Sequence, residues 1–172
     1  MPETGLASLA ARLGERLLAG GLRMATAESC TGGSIAAALT EVAGSSAWFD
    51  RGFVTYSNAS KTELLGVPAA LLQTQGAVSE AVVSAMTAGA LARSPAVDVA
   101  VAVSGIAGPG GGTPQKPVGT VCLAWQRRGC APVVRTVRFP GERDAVRGAT
   151  VMLALEGLLL LLEGSEGGAL QT

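Results

Sequence analysis

The sequence predicts an α/β protein, a three-layer α/β/α sandwich around a mixed, partly antiparallel sheet. Segments with apolar residues at helical spacing alternate with short runs rich in β-branched residues, an order typical of helices that cover a sheet. Two late runs are separated by Arg127-Arg128-Gly129, a hairpin signal that makes part of the sheet antiparallel. The length of 172 residues fits one domain, 1–163, followed by a flexible tail at 164–172.

The first half of the chain predicts three helices and two strands. Four leucines between residues 6 and 17 recur at three- and four-residue steps, so they share one face of a helix that Gly20-Gly21 ends. The polar run 57–60 supplies capping residues for a later, short helix. The predicted elements are helix 5–19, strand 23–27, helix 34–42, strand 50–56 and helix 60–65.

The second half predicts further helices, a buried strand and the hairpin. Ser79 is a good N-cap for a long helix, and the valine-rich run 97–103 indicates a buried strand. The glycines of 108–112 exclude regular structure in the loop that follows. The predicted elements are helix 68–76, helix 80–93, strand 97–103, strand 118–126, strand 133–139 and helix 144–162.

Composition and charge exclude several classes of partner. The 13 basic and 13 acidic residues balance, so the chain lacks the positive surface that binds a phosphate backbone, and we expect no nucleic-acid partner. The apolar run 157–162 is far shorter than the ~20 residues that span a bilayer, and residues 1–4 do not resemble a signal peptide. We therefore expect a cytoplasmic protein without a membrane partner. The apolar segment 151–162 is compatible with a subunit interface, although such a segment is more often core, and we expect a homo-oligomer.

The chain contains no histidine, which removes the commonest general base and metal ligand. Its three cysteines form no Cys-x-x-Cys pair, and its carboxylates have no recognisable metal spacing. We therefore expect no metal and no cofactor. Three polar or glycine-rich segments, 28–33, 57–61 and 104–113, each follow a predicted strand, and we expect them to share one site.

Ser29 is a candidate nucleophile because it lies in a tight turn between a strand and a helix, where a side-chain oxygen is exposed near outward-pointing N–H groups. A simpler interpretation is that Ser29 or Thr31 only caps the helix. Cys30 is the rival nucleophile, although a cysteine among small residues is often merely buried.

Lys61 is the candidate base. It is one of only two lysines, and the arginines are too basic to give up a proton. A position in the first turn of a helix and partial burial would both lower its pKa. A solvated lysine beside Glu63 is the alternative. Tyr56, the only tyrosine, could relay a proton, or it is simply a buried aromatic residue.

The loop 104–113 offers glycine N–H groups that suit a phosphate or a carboxylate, although a structural turn explains the glycines almost as well. It matches neither a Walker motif nor a dinucleotide fingerprint. Arg143 and Arg147, four residues apart, could bind an anionic ligand as a forked donor, or pair with Glu142 or Asp144.

Six segments, in this order, resemble the CinA C-terminal domain family across about residues 5 to 160. They are Thr26-Ala27-Glu28-Ser29-Cys30-Thr31-Gly32-Gly33, Gly44-Ser45-Ser46-Ala47-Trp48-Phe49, Gly52-Phe53-Val54-Thr55-Tyr56-Ser57-Asn58, Gly76-Ala77-Val78-Ser79-Glu80, Ser104-Gly105-Ile106-Ala107-Gly108-Pro109 and Lys116-Pro117-Val118-Gly119-Thr120-Val121. The resemblance implies a stand-alone nicotinamide-nucleotide amidohydrolase, with Ser29 as nucleophile, Lys61 as base and Tyr56 nearby. One departure is Gln75, at a position where some relatives have histidine.

We therefore expect hydrolysis of the carboxamide of nicotinamide mononucleotide (NMN) through an acyl-enzyme, with the N–H groups of 31–33 holding the oxyanion. The residues expected to bind substrate are Thr31, Gly32, Gly33, Ser46, Asn58, Ser104, Gly105, Gly108, Gly112, Thr113 and Arg143. The alternative is a non-catalytic module that binds a nucleotide or phosphate with a protonated Lys61. An interaction protein in DNA uptake or damage response ranks last.

Overall fold

A five-stranded mixed sheet forms the centre of the computed structural model, which describes residues 5–164. The predicted tail therefore lies outside the described residues, except for Gly164. The strands are β1 (Met24–Glu28), β2 (Phe49–Val54), β3 (Val99–Gly105), β4 (Thr120–Arg127) and β5 (Val133–Arg138). The helices are α1 (Gly5–Ala19), α2 (Ser34–Thr40), α3 (Asn58–Leu65), α4 (Ala69–Gln75), α5 (Glu80–Arg93) and α6 (Arg143–Glu163), with a 3-10 turn at Ser45–Ala47.

The strand order is β2-β1-β3-β4-β5. β1 lies between β2 and β3 and pairs in parallel with both, whereas β4 is antiparallel to β3 and to β5. The mixed sheet predicted from the hairpin signal is confirmed. Because β1, β2 and β3 run in the same direction, the segments that follow their carboxyl ends lie at one edge of the sheet.

Helices cover both faces of the sheet, which confirms the three-layer α/β/α sandwich. One core joins α1, α2 and α6 to large side chains of the sheet, such as Val101 and Leu123. The other joins α3, α4 and α5 to small ones, such as Ala100 and Ala124. The small side chains let α5 lie close to the sheet, because less volume separates the two layers.

α5 also packs closely against α3 through Gly89. A Cβ atom at this position would overlap the carbonyl oxygen of Leu65, the last residue of α3. The close approach helps to position Lys61, the candidate base, which lies one turn earlier in α3.

α6 is a core helix. Within residues 5–164 it is the one helix long and apolar enough, by length and composition alone, to cross a membrane. Its face is buried against α1, β3 and β4, and the Trp125 indole donates a hydrogen bond to the Ala154 carbonyl at 2.9 Å while lying against Gly157. This packing accounts for its apolar sequence, because the core helix of a soluble protein meets the same criterion.

The predicted elements all occur, with small shifts at their ends. α3 begins at Asn58 rather than at residue 60, because Ser57 is the N-cap and its Oγ accepts a hydrogen bond from the Ser60 N–H. β4 begins at Thr120 rather than at 118, because Gly119 has a left-handed φ of 93° and its N–H donates to the Ile106 carbonyl.

Candidate active site

A tight turn at residues 29–33, which we call the nucleophile turn, joins β1 to α2. The Ser29 N–H donates to the Val103 carbonyl at 3.1 Å, so Ser29 continues the hydrogen bonding between β1 and β3. Gly32 and Gly33 then adopt positive φ angles of 59° and 99°. Residues other than glycine disfavour these angles because of their Cβ atom, so the two glycines allow the chain to reverse immediately after the serine.

Ser29 and Lys61 are in direct contact. Lys61 Nζ donates hydrogen bonds to Ser29 Oγ at 3.0 Å and to the Thr55 carbonyl at 2.8 Å. Both side chains are buried, Lys61 with 1% and Ser29 with 8% of its surface exposed. The alternative of a solvated lysine beside Glu63 is therefore wrong, as is the interpretation of Ser29 as the cap of α2: Gly33 holds that position.

Burial changes the chemistry of this amine. It lowers the pKa of Lys61 below the usual lysine range, because water no longer stabilises the ammonium form. The two Nζ partners, a hydroxyl and a carbonyl, carry no formal charge that would restore the pKa. The lower pKa raises the fraction of Lys61 in the neutral form, whose lone pair can accept a proton.

Cys30, the rival nucleophile, follows Ser29 in the chain, and burial affects its pKa in the opposite direction to that of Lys61. Burial raises the pKa of its thiol to about 11, although Arg147 opposes the effect. The thiol is therefore protonated at neutral pH, and the nucleophilic form of a cysteine is the thiolate. This state disfavours Cys30 as the nucleophile.

A cavity of about 240 Å³ opens beside Ser29 and Lys61. All three predicted segments contribute to it, which confirms that they meet. Its lining comprises Ser29, Cys30, Tyr56, Asn58, Lys61, Ala77, Val78, Ser104, Gly105, Ala107 and Arg143.

Arg143 bridges the loop 104–113 and Tyr56, the residue that precedes segment 57–61. Its Nη1 donates to the Gly108 carbonyl at 2.9 Å and its Nη2 to the Tyr56 hydroxyl at 3.0 Å. Tyr56 is 61% exposed, so the alternative of a buried aromatic residue is wrong. The pair places a guanidinium and a phenol at the solvent side of the cavity.

A family model of the CinA C-terminal domain matches residues 6–162. The chain belongs to the CinA C-terminal domain family. This CinA C-terminal domain is 57% identical over 156 residues to the nicotinamide-nucleotide amidohydrolase PncC of Pseudomonas putida, covering 91% of the chain and 96% of that relative. It is 49% identical over 158 residues to PncC of Escherichia coli K12, covering 92% and 95%. The resemblance predicted from the sequence is confirmed, and both relatives are named as hydrolases.

Solved structures show the same fold. The crystal structure of the competence/damage inducible protein CihA from Agrobacterium tumefaciens has a TM-score of 0.89 at 49% identity, covering 95% of this chain and 98% of that one. A CinA superfamily protein from Klebsiella pneumoniae has a TM-score of 0.88 at 42% identity, covering 93% and 99%. The α/β fold of the CinA C-terminal domain is therefore common to proteins with different names.

The nucleophile turn of this CinA C-terminal domain corrects one part of the sequence analysis. The Gly32 N–H donates to the Ser29 carbonyl at 3.0 Å, and the Gly33 N–H donates to Glu28 Oε1 at 3.2 Å. Thr31 is fully buried, and its hydroxyl donates to the same carboxylate oxygen. Because the two glycine N–H groups already have partners, their assignment to the oxyanion was wrong, whereas the assignment of the Thr31 main-chain N–H stays a prediction.

Other predicted binding residues lie outside the cavity lining. The Ser46 carbonyl accepts a long hydrogen bond from Arg23, which precedes β1, so Ser46 is at the opposite end of that strand from Ser29. Gly112 packs against Val118, and Thr113 exchanges hydrogen bonds with Lys116 within the loop. Gly112 therefore fits the alternative explanation, a glycine that only forms a structural turn. Gly108 does not line the cavity, but its carbonyl accepts a hydrogen bond from Arg143, which does.

Arg147 differs from its sequence interpretation, and the structure also places Gln75. The Arg147 guanidinium donates to the Cys30 and Thr31 carbonyls at 3.1 Å each, rather than turning to a ligand. Gln75 is exposed, and its main-chain carbonyl accepts a hydrogen bond from Lys116 Nζ at 2.8 Å.

Several site residues were not singled out from the sequence. Ala77, Val78 and Ala107 line the cavity, and the Thr55 carbonyl holds Lys61 Nζ. The segments quoted for the family resemblance contain all four residues, and this was the only available signal. Main-chain acceptors and small apolar side chains carry no chemical signature of their own.

Proposed function

We propose that the protein hydrolyses the carboxamide of NMN to nicotinic acid mononucleotide and ammonia through an acyl-enzyme at Ser29. The observation that carries the mechanism is the 3.0 Å contact between Ser29 Oγ and the buried Lys61 Nζ. The relatives from Pseudomonas putida and Escherichia coli are named nicotinamide-nucleotide amidohydrolases, which supports the substrate and the reaction.

In the first half-reaction neutral Lys61 accepts the Ser29 hydroxyl proton while Ser29 Oγ attacks the carboxamide carbon. The tetrahedral intermediate collapses as Lys61 returns that proton to the leaving nitrogen, and ammonia departs. Water then attacks the resulting ester, again giving its proton to Lys61. The carboxylic acid leaves, and Ser29 recovers its hydroxyl proton from Lys61. The amine thus serves as base and acid in turn, the part that histidine plays in most serine hydrolases.

The Gly105 N–H is the main-chain donor that we propose for the oxyanion. Along β3 the Val103 carbonyl accepts from Ser29 on the β1 side, whereas the Ile106 N–H donates to Thr120 on the β4 side. Main-chain groups alternate along a strand, so the Gly105 N–H faces the β1 side, where Ser29 lies. A Cβ at Gly105 would come within 2.6 Å of a Val121 methyl group, which accounts for glycine at this position.

Arg143 is the group we propose for the substrate phosphate. Its two recorded contacts leave guanidinium N–H donors for an anion, and the site lies at the solvent side of the cavity. Tyr56 and Asn58, on the neighbouring segment, line the same cavity. Because the Tyr56 hydroxyl contacts Arg143, we propose that Tyr56 orients this guanidinium; a proton relay to Lys61 remains a prediction.

The decisive experiment measures ammonia released from NMN by the purified protein and by Ser29→Ala and Lys61→Ala. Both variants should lose at least about 1000-fold in kcat, because removal of either member of such a pair abolishes the activated nucleophile. Cys30→Ala is the matched control, and it should remain active because the protonated thiol takes no part. Full activity in both Ser29→Ala and Lys61→Ala would contradict the assignment.

The same experiment separates the non-catalytic alternative. A nucleotide-binding module would bind NMN saturably without releasing ammonia, and it would need Lys61 protonated as a counter-ion. Burial opposes that protonated state. The cytoplasmic location, the homo-oligomeric state and the absence of nucleic-acid and membrane partners stay predictions.

A further inference from the structure

Two charged groups, one buried and one half-buried, contact the nucleophile turn and take no part in the proposed acyl-enzyme steps. Glu28 is fully buried at the end of β1. Arg147 reaches the same turn from α6. An ionised group placed in the interior is unfavourable unless it is fully hydrogen-bonded, so what each group binds indicates its role.

The Glu28 carboxylate binds the donors of the turn and of the helix that follows it. Oε1 accepts from the Thr31 hydroxyl at 2.6 Å, from the Gly33 N–H at 3.2 Å and from the Ile35 N–H at 2.9 Å, and Oε2 accepts from the Ala36 N–H at 3.0 Å. The N-cap residue of α2 has no side-chain cap of its own, so Glu28 supplies it.

The Arg147 guanidinium binds the acceptors. Its Nε donates to the Cys30 carbonyl and its Nη2 to the Thr31 carbonyl, both at 3.1 Å, with a longer contact of 3.4 Å from Nη2 to Ser34 Oγ. A planar fork that bonds two successive carbonyls fixes the planes of both peptides, because each peptide unit is rigid. These are the second and third peptide units after Ser29.

We propose that Glu28 and Arg147 are positioning residues, which hold the nucleophile turn through its N–H and C=O groups respectively and so keep Ser29 Oγ on Lys61. The inference rests on the proposed function of Ser29 as nucleophile. It assigns a role to Arg147 that differs from that of Arg143, one helical turn earlier, although both were candidates for the same ligand.

If Arg147 positions the turn, its removal should lower kcat and leave KM nearly unchanged. Neither group lines the cavity, so loss of Arg147 should leave substrate binding nearly unchanged while misplacing the nucleophile. A misplacement of about 1 Å can lower a rate by up to about 100-fold. We expect Arg147→Ala to lower kcat between about 10-fold and 100-fold with KM for NMN within about twofold. Arg147→Lys, with a single donor group for two carbonyls, should fall between Arg147→Ala and the wild type.

Glu28→Gln tests the other side of the turn with little change in volume. The amide retains one acceptor oxygen, but its NH₂ group then faces a main-chain N–H, so kcat should fall while KM stays near the wild-type value. Arg12→Ala, which removes an arginine from the exposed surface, is the control for loss of positive charge. Arg143→Ala is the contrast, since loss of the proposed phosphate group should raise KM.

A second measurement makes the inference independent of the substrate. A fluorophosphonate probe reacts with an activated serine, and the rate at which it labels Ser29 should fall in Arg147→Ala and Glu28→Gln by factors similar to those for kcat. If the wild type is labelled but releases no ammonia from NMN, the proposed substrate fails while slower labelling in the variants still supports the positioning role.

Three results would overturn the inference. One is wild-type kcat and labelling rate in both variants. Another is a lower melting temperature with unchanged kcat below the transition, which would show a purely structural role. The third is a wild-type protein that neither reacts with the probe nor hydrolyses NMN. Should Arg147→Ala fail to fold, Arg147→Lys decides by the same criteria, because it retains the charge.

Discussion

At the scale of single residues, the site depends on one amine that is kept from water. Lys61 would be a poor base if it were exposed, because an ordinary lysine has a pKa near ~10.4 and is protonated at neutral pH. Burial between α3 and the sheet lowers that pKa and places Nζ on Ser29. Packing thus gives the proposed general base its lowered pKa in a chain that contains no histidine.

The pH dependence of kcat/KM follows from this burial. Protonated Lys61 cannot accept the Ser29 proton, so activity should rise as the pH increases through the pKa of Lys61, with a midpoint below the usual lysine value near ~10.4. Ammonia release from NMN across the pH range measures it, and circular dichroism at each pH confirms that the protein stays folded. A midpoint near 11 would instead match the Cys30 thiol and contradict the serine mechanism.

At the scale of elements, the distance between α3 and α5 controls where Lys61 lies. Gly89 lets α5 touch the last residue of α3, and Lys61 is one turn before that contact. The sequence predicted both helices and the cap of α5 at Ser79, since these depend on local patterns. It did not predict the contact, because a glycine within a helix gives no indication of which element packs against it.

Gly89→Ala should therefore reduce both stability and activity. Its methyl group would overlap the Leu65 carbonyl, and overpacking of this kind lowers the free energy of unfolding by about 1–3 kcal/mol. The displaced α3 would move Nζ from Ser29 and lower kcat. Urea denaturation and ammonia release measure the two effects. The matched control is Gly148→Ala in α6, where a Cβ meets nothing within 4 Å, and it should raise stability by about 0.5–1 kcal/mol.

At the scale of the whole molecule, the order of elements brings together residues that are far apart in the sequence. Ser29, Lys61 and Ser104 meet because β1, β2 and β3 are parallel and their carboxyl ends lie at one sheet edge. Arg143 joins them because β5, which precedes it, is antiparallel to β4 and therefore ends at the same edge. That rule allowed the meeting to be predicted. Individual partners were harder to predict. Ser46 lies within the segments that resemble the family, yet it is at the other end of β1 from Ser29. The hydrogen bonds of the Gly32 and Gly33 N–H groups depend on three-dimensional geometry that the sequence does not show.

Because the candidate site lies at one sheet edge, a substitution in the core far from that edge should lower stability without changing catalysis. Leu158 is fully buried in the core formed by α1, α2 and α6, and it lies about 22 Å along α6 from Arg143 at ~1.5 Å per residue. Leu158→Ala should lower the free energy of unfolding by about 2–5 kcal/mol, because it removes buried methyl groups and leaves a cavity. Since the active-site end of α6 is anchored by Arg143 and Arg147, kcat and KM for NMN measured well below the melting temperature should stay within about twofold of wild type. A large loss of kcat in folded Leu158→Ala would show instead that the far core controls the geometry of Ser29 and Lys61.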